Sequence, residues 1–261
     1  AIVTFSAVVL AGQTIHWFNE FDREAWGFVI VFLLSAVARW FSASAFQGVD
    51  DVSLHVPDES KFTFWQFIAR ARYSNFVKFV FFVSCMNFSA SISGPYFAMY
   101  MLKDLALSYA DYTMVVAAAV LAQFVVMRSW GAMSDQFGNR TILKACGALV
   151  AFNPVLWLIS SNFWYVLFIQ FYSGIFWAGF TLAAANFVFD AVTPPKRARC
   201  VAYQAIINGL LVFSGSCVGG WIVHHVPQGW VDHLGIWVPH SKFLALFVIS
   251  GVLRMGVMIF L

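Results

Sequence analysis

Apolar residues run on along this chain without the two-residue alternation of a half-buried strand, and polar residues gather in short breaks between the runs. Segments 2–18, 25–46, 76–101, 110–130, 142–160, 163–190, 201–224 and 243–260 are each long enough to cross a hydrocarbon core of about 30 Å as a helix. Lipid offers the backbone no hydrogen-bond partners, so only helices or closed barrels span it, and continuous apolar runs favour helices. The pattern predicts an all-α membrane protein with eight transmembrane helices. In the longest polar break, 47–75, Phe64, Phe67, Ile68 and Ala71 recur at helical spacing, with Lys61, Arg70 and Arg72 around them. That stripe predicts an amphipathic helix along the membrane surface.

Composition agrees: 61% of residues are hydrophobic and 10% charged, whereas soluble domains carry about 25% charged residues. A net charge of +3 is too small to suggest nucleic acid as a partner. Cys85, Cys146, Cys200 and Cys217 fall within or at the ends of spans without C-x-x-C spacing, so neither a disulfide framework nor a zinc site is expected. His224, His225, His233 and His240 cluster near the last break. Adjacent histidines diverge on a helix and no acid-rich shell accompanies them, so no metal is expected there either. Metalloprotease, phosphate-loop and nucleophile-elbow motifs are missing, which leaves enzyme chemistry and cofactors without a foothold.

Charge placement orients the chain. If spans alternate sides, the breaks at 47–75, 128–144 and 193–200 share a side and hold, with Lys78 just past the first of them, Lys61, Arg70, Arg72, Arg128, Arg140, Lys144, Lys196, Arg197 and Arg199. Breaks on the other side hold only Arg23, Lys103 and Lys242, so the first side is expected to be cytoplasmic, with the carboxy terminus. Trp17, Trp26, Trp130, Trp164 and Trp221 lie near span ends, as an interfacial aromatic belt requires. Ala1 stands one residue before an apolar run without a Met or polar leader, so the sequence is expected to be part of a longer chain, and the first span is not expected to be a cleavable signal because no small-residue cleavage site follows it.

The polar segment Gly131-Ala132-Met133-Ser134-Asp135-Gln136-Phe137-Gly138-Asn139-Arg140, set between two spans, resembles the G-x-x-x-D-R-x-G-R-R loop of the major facilitator superfamily. Asp190-Ala191-Val192-Thr193-Pro194-Pro195-Lys196-Arg197-Ala198-Arg199 resembles the family's acidic-Pro-Pro-basic turn between its tenth and eleventh helices. The stretches Gly94–Leu102 and Phe176–Phe180 are similar to bacterial members. The resemblance implies a major facilitator helical bundle of twelve helices, of which this chain looks like the fifth to the twelfth. On that register, residues 1–46 are the last two helices of the amino-terminal bundle, 47–75 a cytoplasmic linker, and 76–261 the carboxy-terminal six-helix bundle. The second, fifth and eighth spans would be peripheral, and only Asn153 breaks their lack of Asn and Gln.

The same resemblance implies a small-solute transporter of the cytoplasmic membrane working by alternating access, in contact with the lipid bilayer. Its inner gate would be built from Gly131, Asp135, Gly138, Arg140, Asp190 and Arg199. Asp135 would meet the start of the helix after Arg199, with Asp190 completing a charge cluster; the plainer reading is that these charges set topology and cap helices. Gln136 and Asn139 stand where the family has basic residues. Asn87, Ser91, Gln123, Gln170, Tyr172, Asn186 and Asn208 fall on helices that would line the substrate path. Bonds between helices are the alternative use for them. Gly94-Pro95 interrupts the third span, as a site or as a packing kink. Small residues at four-residue spacing, Gly215 with Gly219 and Gly174 with Ala178, are expected to let helices approach closely. A second reading is a transport-inactive scaffold in a larger complex with partner subunits, compatible with the altered motif and with an expected lack of buried charge.

Overall fold

The structure, a computed structural model, describes residues 2–20, 24–46, 48, 62–69, 73–226 and 241–259. Within them the chain forms helices α1 (Ile2–Glu20), α2 (Glu24–Phe46), α3 (Phe64–Ala69), α4 (Asn75–Met99), α5 (Tyr109–Phe137), α6 (Asn139–Leu156), α7 (Phe163–Ala191), α8 (Pro194–His225) and α9 (Lys242–Ile259). No strand occurs among the described residues. Six helices, α2, α4, α5, α7, α8 and α9, are long and apolar enough to cross a membrane. The other two predicted spans, α1 and α6, are also helices, of 19 and 18 residues. Polar positions such as Gln13 and His16 in α1, and Arg140 and Lys144 in α6, dilute their hydropathy.

Helix ends follow local chemistry. Ser108 accepts the backbone N–H of Asp111 at 3.1 Å, and Asn162 that of Trp164 at 2.9 Å, which satisfies first-turn donors of α5 and α7. Thr63 and Gln66 exchange side-chain to backbone bonds of 2.9 and 3.3 Å, a reciprocal cap for α3. The Pro194-Pro195 pair is not a turn: both prolines occupy the first positions of α8, where a missing N–H costs nothing, behind an extended Thr193. Pro95 lies inside α4, which then passes into a π-helical turn, Tyr100–Asp104.

The packing order is α4 against α8 and α9, α7 against α5 and α6, and α6 against α9; α1 packs on α5 and α2 on α1. Glycines set the closest approaches. A methyl group at Gly174 would strike the Ala119 carbonyl on α5, and one at Gly215 or Gly219 the carbonyls of Phe88 or Ile92 on α4. The α3 stripe docks on this bundle: Phe67 is buried and stacks near Phe62, Phe76 and Tyr203. Lys61, Arg70, Ala71 and Arg72 lie outside the described residues, as do Arg23, His233 and His240. Trp17, Trp26, Trp164 and Trp221 are exposed, but Trp130 turns inward and donates to the Ile175 carbonyl at 2.8 Å.

The core divides into two apolar clusters stacked along the bundle. One, toward the Gly138 end, takes Met86, Val150 and Phe180; the other, toward the Ser108 end, takes Ile92, Trp157, Ile169 and Phe247. On α4, α6, α7 and α9 the residues between these two contributions include polar ones: Ser89, Asn153, Gln170 with Ser173, and Ser250 with Arg254.

Candidate functional site

At the Gly138 end, the polar segment read as a loop is mostly helix. Helix α5 continues through Gly131 to Phe137, and the direction changes at Gly138 alone, whose φ of 83° and ψ of 145° belong to glycine. Directly after it, Asn139 Nδ2 donates to Asp190 Oδ2 at 2.6 Å and ties the start of α6 to the end of α7. Asp135 is exposed, with no ion-pair or hydrogen-bond partner among the described residues. Arg199 reaches the Phe62 carbonyl at 3.4 Å. The three charges are therefore not joined to one another in this structure. Helix α5 packs on α1, α6 and α7, while the start of α8 is held by the segment before α3. Arg140 and Lys78 line a cavity of about 310 Å³ between α4, α6 and α7. Arg197, read from sequence only as an orienting charge and part of the Pro-Pro motif, covers the Phe189 ring at 4.6 Å.

The path residues separate by position. Asn87 and Asn208 bond to each other at 2.7 Å across α4 and α8. Ser91 sits beside them, its Cβ about 3.1 Å from where a Gly215 methyl would lie. Tyr172 donates to the Leu149 carbonyl at 3.1 Å, on the α6 side of α7. Gln123 and Asn186 are half-buried and have no hydrogen-bond partner among the described residues. Gln170 lines a second cavity.

That cavity, of about 290 Å³, opens within the polar layer and is walled by α4, α5, α6, α7 and α9. Gln170, Asn153, Ser173 and Arg254 are its polar members, and Phe97, Met101, Tyr112, Trp157 and Trp177 its large apolar ones. Asn153 is buried, turned inward, and its amide lies 3.4 Å from Ser173 Oγ. Gly94, beside Pro95, borders the space, and a methyl group placed on it meets nothing within 4 Å.

Arg254 corrects the expectation that this chain buries no charge. It is 2% exposed, inside α9, a helix read as peripheral and lacking Asn and Gln. Its two terminal nitrogens donate to the Val150 carbonyl at 3.1 Å and to Ser93 Oγ at 3.2 Å. Ser93 donates in turn to Ser250 Oγ at 3.0 Å, and Ser250 to the Ser89 carbonyl at 2.6 Å. The chain of bonds joins α9 to α6 and α4. The signal was a guanidinium inside an apolar run, which marks a functional site by default; counting only acids and amides passed over it. Among the described residues, no group of three or more His, Cys, Asp or Glu is arranged to hold a metal.

Residues 79–261 match the Major Facilitator Superfamily. The tetracycline resistance protein, class C, of Escherichia coli is 28% identical over 151 residues, covering 54% of this chain and 32% of that protein. The quinolone resistance protein NorA of Staphylococcus aureus (strain MRSA252) is 28% identical over 140 residues, 52% of this chain and 36% of that protein. The chain spans about a third of the length of these curated relatives. No solved structure matches.

Proposed function

Because the chain belongs to the major facilitator superfamily, a family of multi-pass membrane proteins, we propose that it moves a small solute across the cytoplasmic membrane by alternating access between two helical bundles. The family match over residues 79–261 carries this reading. The polar cavity among helices α4 to α7 and α9 gives it a place, and relatives named for resistance to tetracycline and quinolones support a small organic cargo. In this reading 76–261 is the carboxy-terminal bundle, 47–75 its cytoplasmic linker, and 1–46 the last two helices of the amino-terminal bundle. The mutual packing of α4 to α9, which α1 joins through α5, supports that division.

The Gly138 end faces the cytoplasm in this proposal, as does the carboxy terminus, because the Lys and Arg residues of the breaks gather on that side. Gly131, Asp135, Gly138, Arg140, Asp190 and Arg199 form its inner gate. The support is the Asn139–Asp190 bond, which already couples the motif to the end of α7. Gln170 contacts solute from the cavity wall, while Asn87 and Asn208 hold α4 to α8. The scaffold reading loses one support, since Arg254 supplies the buried charge it assumed absent.

The test is flux. Full-length protein reconstituted in vesicles is offered a panel of labelled organic solutes, with and without an imposed ion gradient. Accumulation above protein-free vesicles is the expected result. A folded protein that moves none of the panel overturns transport and leaves the scaffold.

A further inference from the structure

Arg254 is more than a rivet between helices. A guanidinium has five N–H donors and no acceptor, and placing a charge inside a membrane helix costs at least about 2.5–3.5 kcal/mol on insertion scales. The protein partners found for Arg254 are one carbonyl and one hydroxyl; both are neutral, and its Nε has no partner. No carboxylate stands among the residues lining the adjoining cavity. A second buried donor, Nε1 of the lining residue Trp157, is also unpartnered. Buried polar groups are almost always satisfied, so these two donors, together with Asn153 Oδ1, an unpartnered acceptor of the same lining, mark groups that the protein's own atoms leave unmet beside one cavity.

The shape of the space narrows the class. Its volume of about 290 Å³ is at the small end of ligand pockets, which run to roughly 300–1,000 Å³. Phe97, Tyr112, Trp157 and Trp177 supply aromatic walls, and Asn153 and Gln170 offer amides that can donate or accept. Gly94 keeps one wall bare, although glycine inside a helix is roughly 0.5–1 kcal/mol worse than alanine and nothing lies within 4 Å to forbid a methyl group. Packing does not require glycine there, and Gly94 leaves the edge of the space open.

We propose that this cavity binds the carboxylate end of a small, apolar-bodied solute, with the Arg254 guanidinium as the anion contact and the aromatic wall holding the body. The assignment deepens the transport reading and rests on it for the identity of the occupant as cargo. Arginine suits the role because its planar fork matches a carboxylate.

Thermal unfolding of the full-length protein with benzoate and with benzamide tests it, since the two differ in charge and hardly in shape. Benzoate raises the midpoint by a few degrees and benzamide leaves it in place, because a ligand stabilises the state that binds it. Arg254→Gln abolishes the benzoate shift, and Arg254→Lys keeps part of it. Should Arg254→Gln fail to fold, Gly94→Val serves, adding a branched side chain at the cavity's edge with no neighbour to displace; it too removes the shift. Equal shifts with both compounds, no shift with either, or a benzoate shift that survives Gly94→Val overturns the proposal and leaves a hydrated packing space. Labelled benzoate flux in vesicles separates the two readings. Binding without flux of any solute sinks transport and keeps the site; flux of other solutes without benzoate binding sinks the site and keeps transport.

Discussion

Asn87 on α4 donates to Asn208 on α8 at 2.7 Å, where Gly215 and Gly219 bring α8 against the α4 backbone. Bonds of this kind between membrane helices are worth about 0.6 kcal/mol on average and about 1.7 at most, because the unfolded chain in lipid also finds partners. Asn87→Ala and Asn208→Ala should each lower stability within that range, and the double variant should cost little more than either alone. A double-mutant cycle by reversible unfolding in detergent measures the coupling; additive losses would show that the bond contributes nothing.

Two glycines of one motif should respond oppositely. Gly138 holds φ 83° and ψ 145°, close to a region that only glycine occupies without a cost of about 1–3 kcal/mol. Gly138→Ala should lower the unfolding midpoint accordingly. Gly131 is helical and a methyl group there meets nothing within 4 Å, so Gly131→Ala should be neutral or stabilising by up to about 1 kcal/mol. Equal effects of the two on the midpoint would contradict this backbone assignment.

If the inner gate works as proposed, Asp135→Ala should slow flux in vesicles while insertion and thermal stability stay normal, since Asp135 makes no hydrogen bond or ion pair among the described residues. Asn139→Ala and Asp190→Ala should each slow it too, and together no more than singly, because they share one bond. Flux unchanged in all three variants removes the gate.

Helix positions were legible in the sequence because hydropathy acts on whole segments. Predicted span 163–190 and helix Phe163–Ala191 agree, as do 243–260 and Lys242–Ile259. The segment around Gly131 misled, since polar residues there continue α5 in an exposed helix instead of ending it, and only a backbone dihedral shows that Gly138 alone makes the corner. The site was legible in part. Gln170 stood out as an amide in an apolar span, but Ser89, Ser93 and Ser250 barely perturb hydropathy, and their alignment with Arg254 depends on the register between α4 and α9, which no single helix encodes.

The relay below Arg254 should lose stability in a definite order. Arg254 donates to Ser93, Ser93 to Ser250, and Ser250 to the Ser89 carbonyl, so each hydroxyl uses its one proton toward the next acceptor. Ser93→Ala removes an acceptor from a buried cation, a bond of the charged class worth about 1.5–3 kcal/mol. Ser250→Ala leaves that bond in place and removes only neutral ones, at about 0.5–1.5 kcal/mol each, while the Ser93 proton can turn to the Ala90 carbonyl 3.4 Å away. Ser93→Ala should therefore be the costlier change, and Ser250→Ala should add to it only its unshared bond to the Ser89 carbonyl, about 0.5–1.5 kcal/mol, since the bond they share is already gone. Reversible unfolding of the two single variants and the double in detergent reads the order directly, and a Ser250→Ala loss equal to or larger than that of Ser93→Ala would mean that Arg254 does not depend on Ser93.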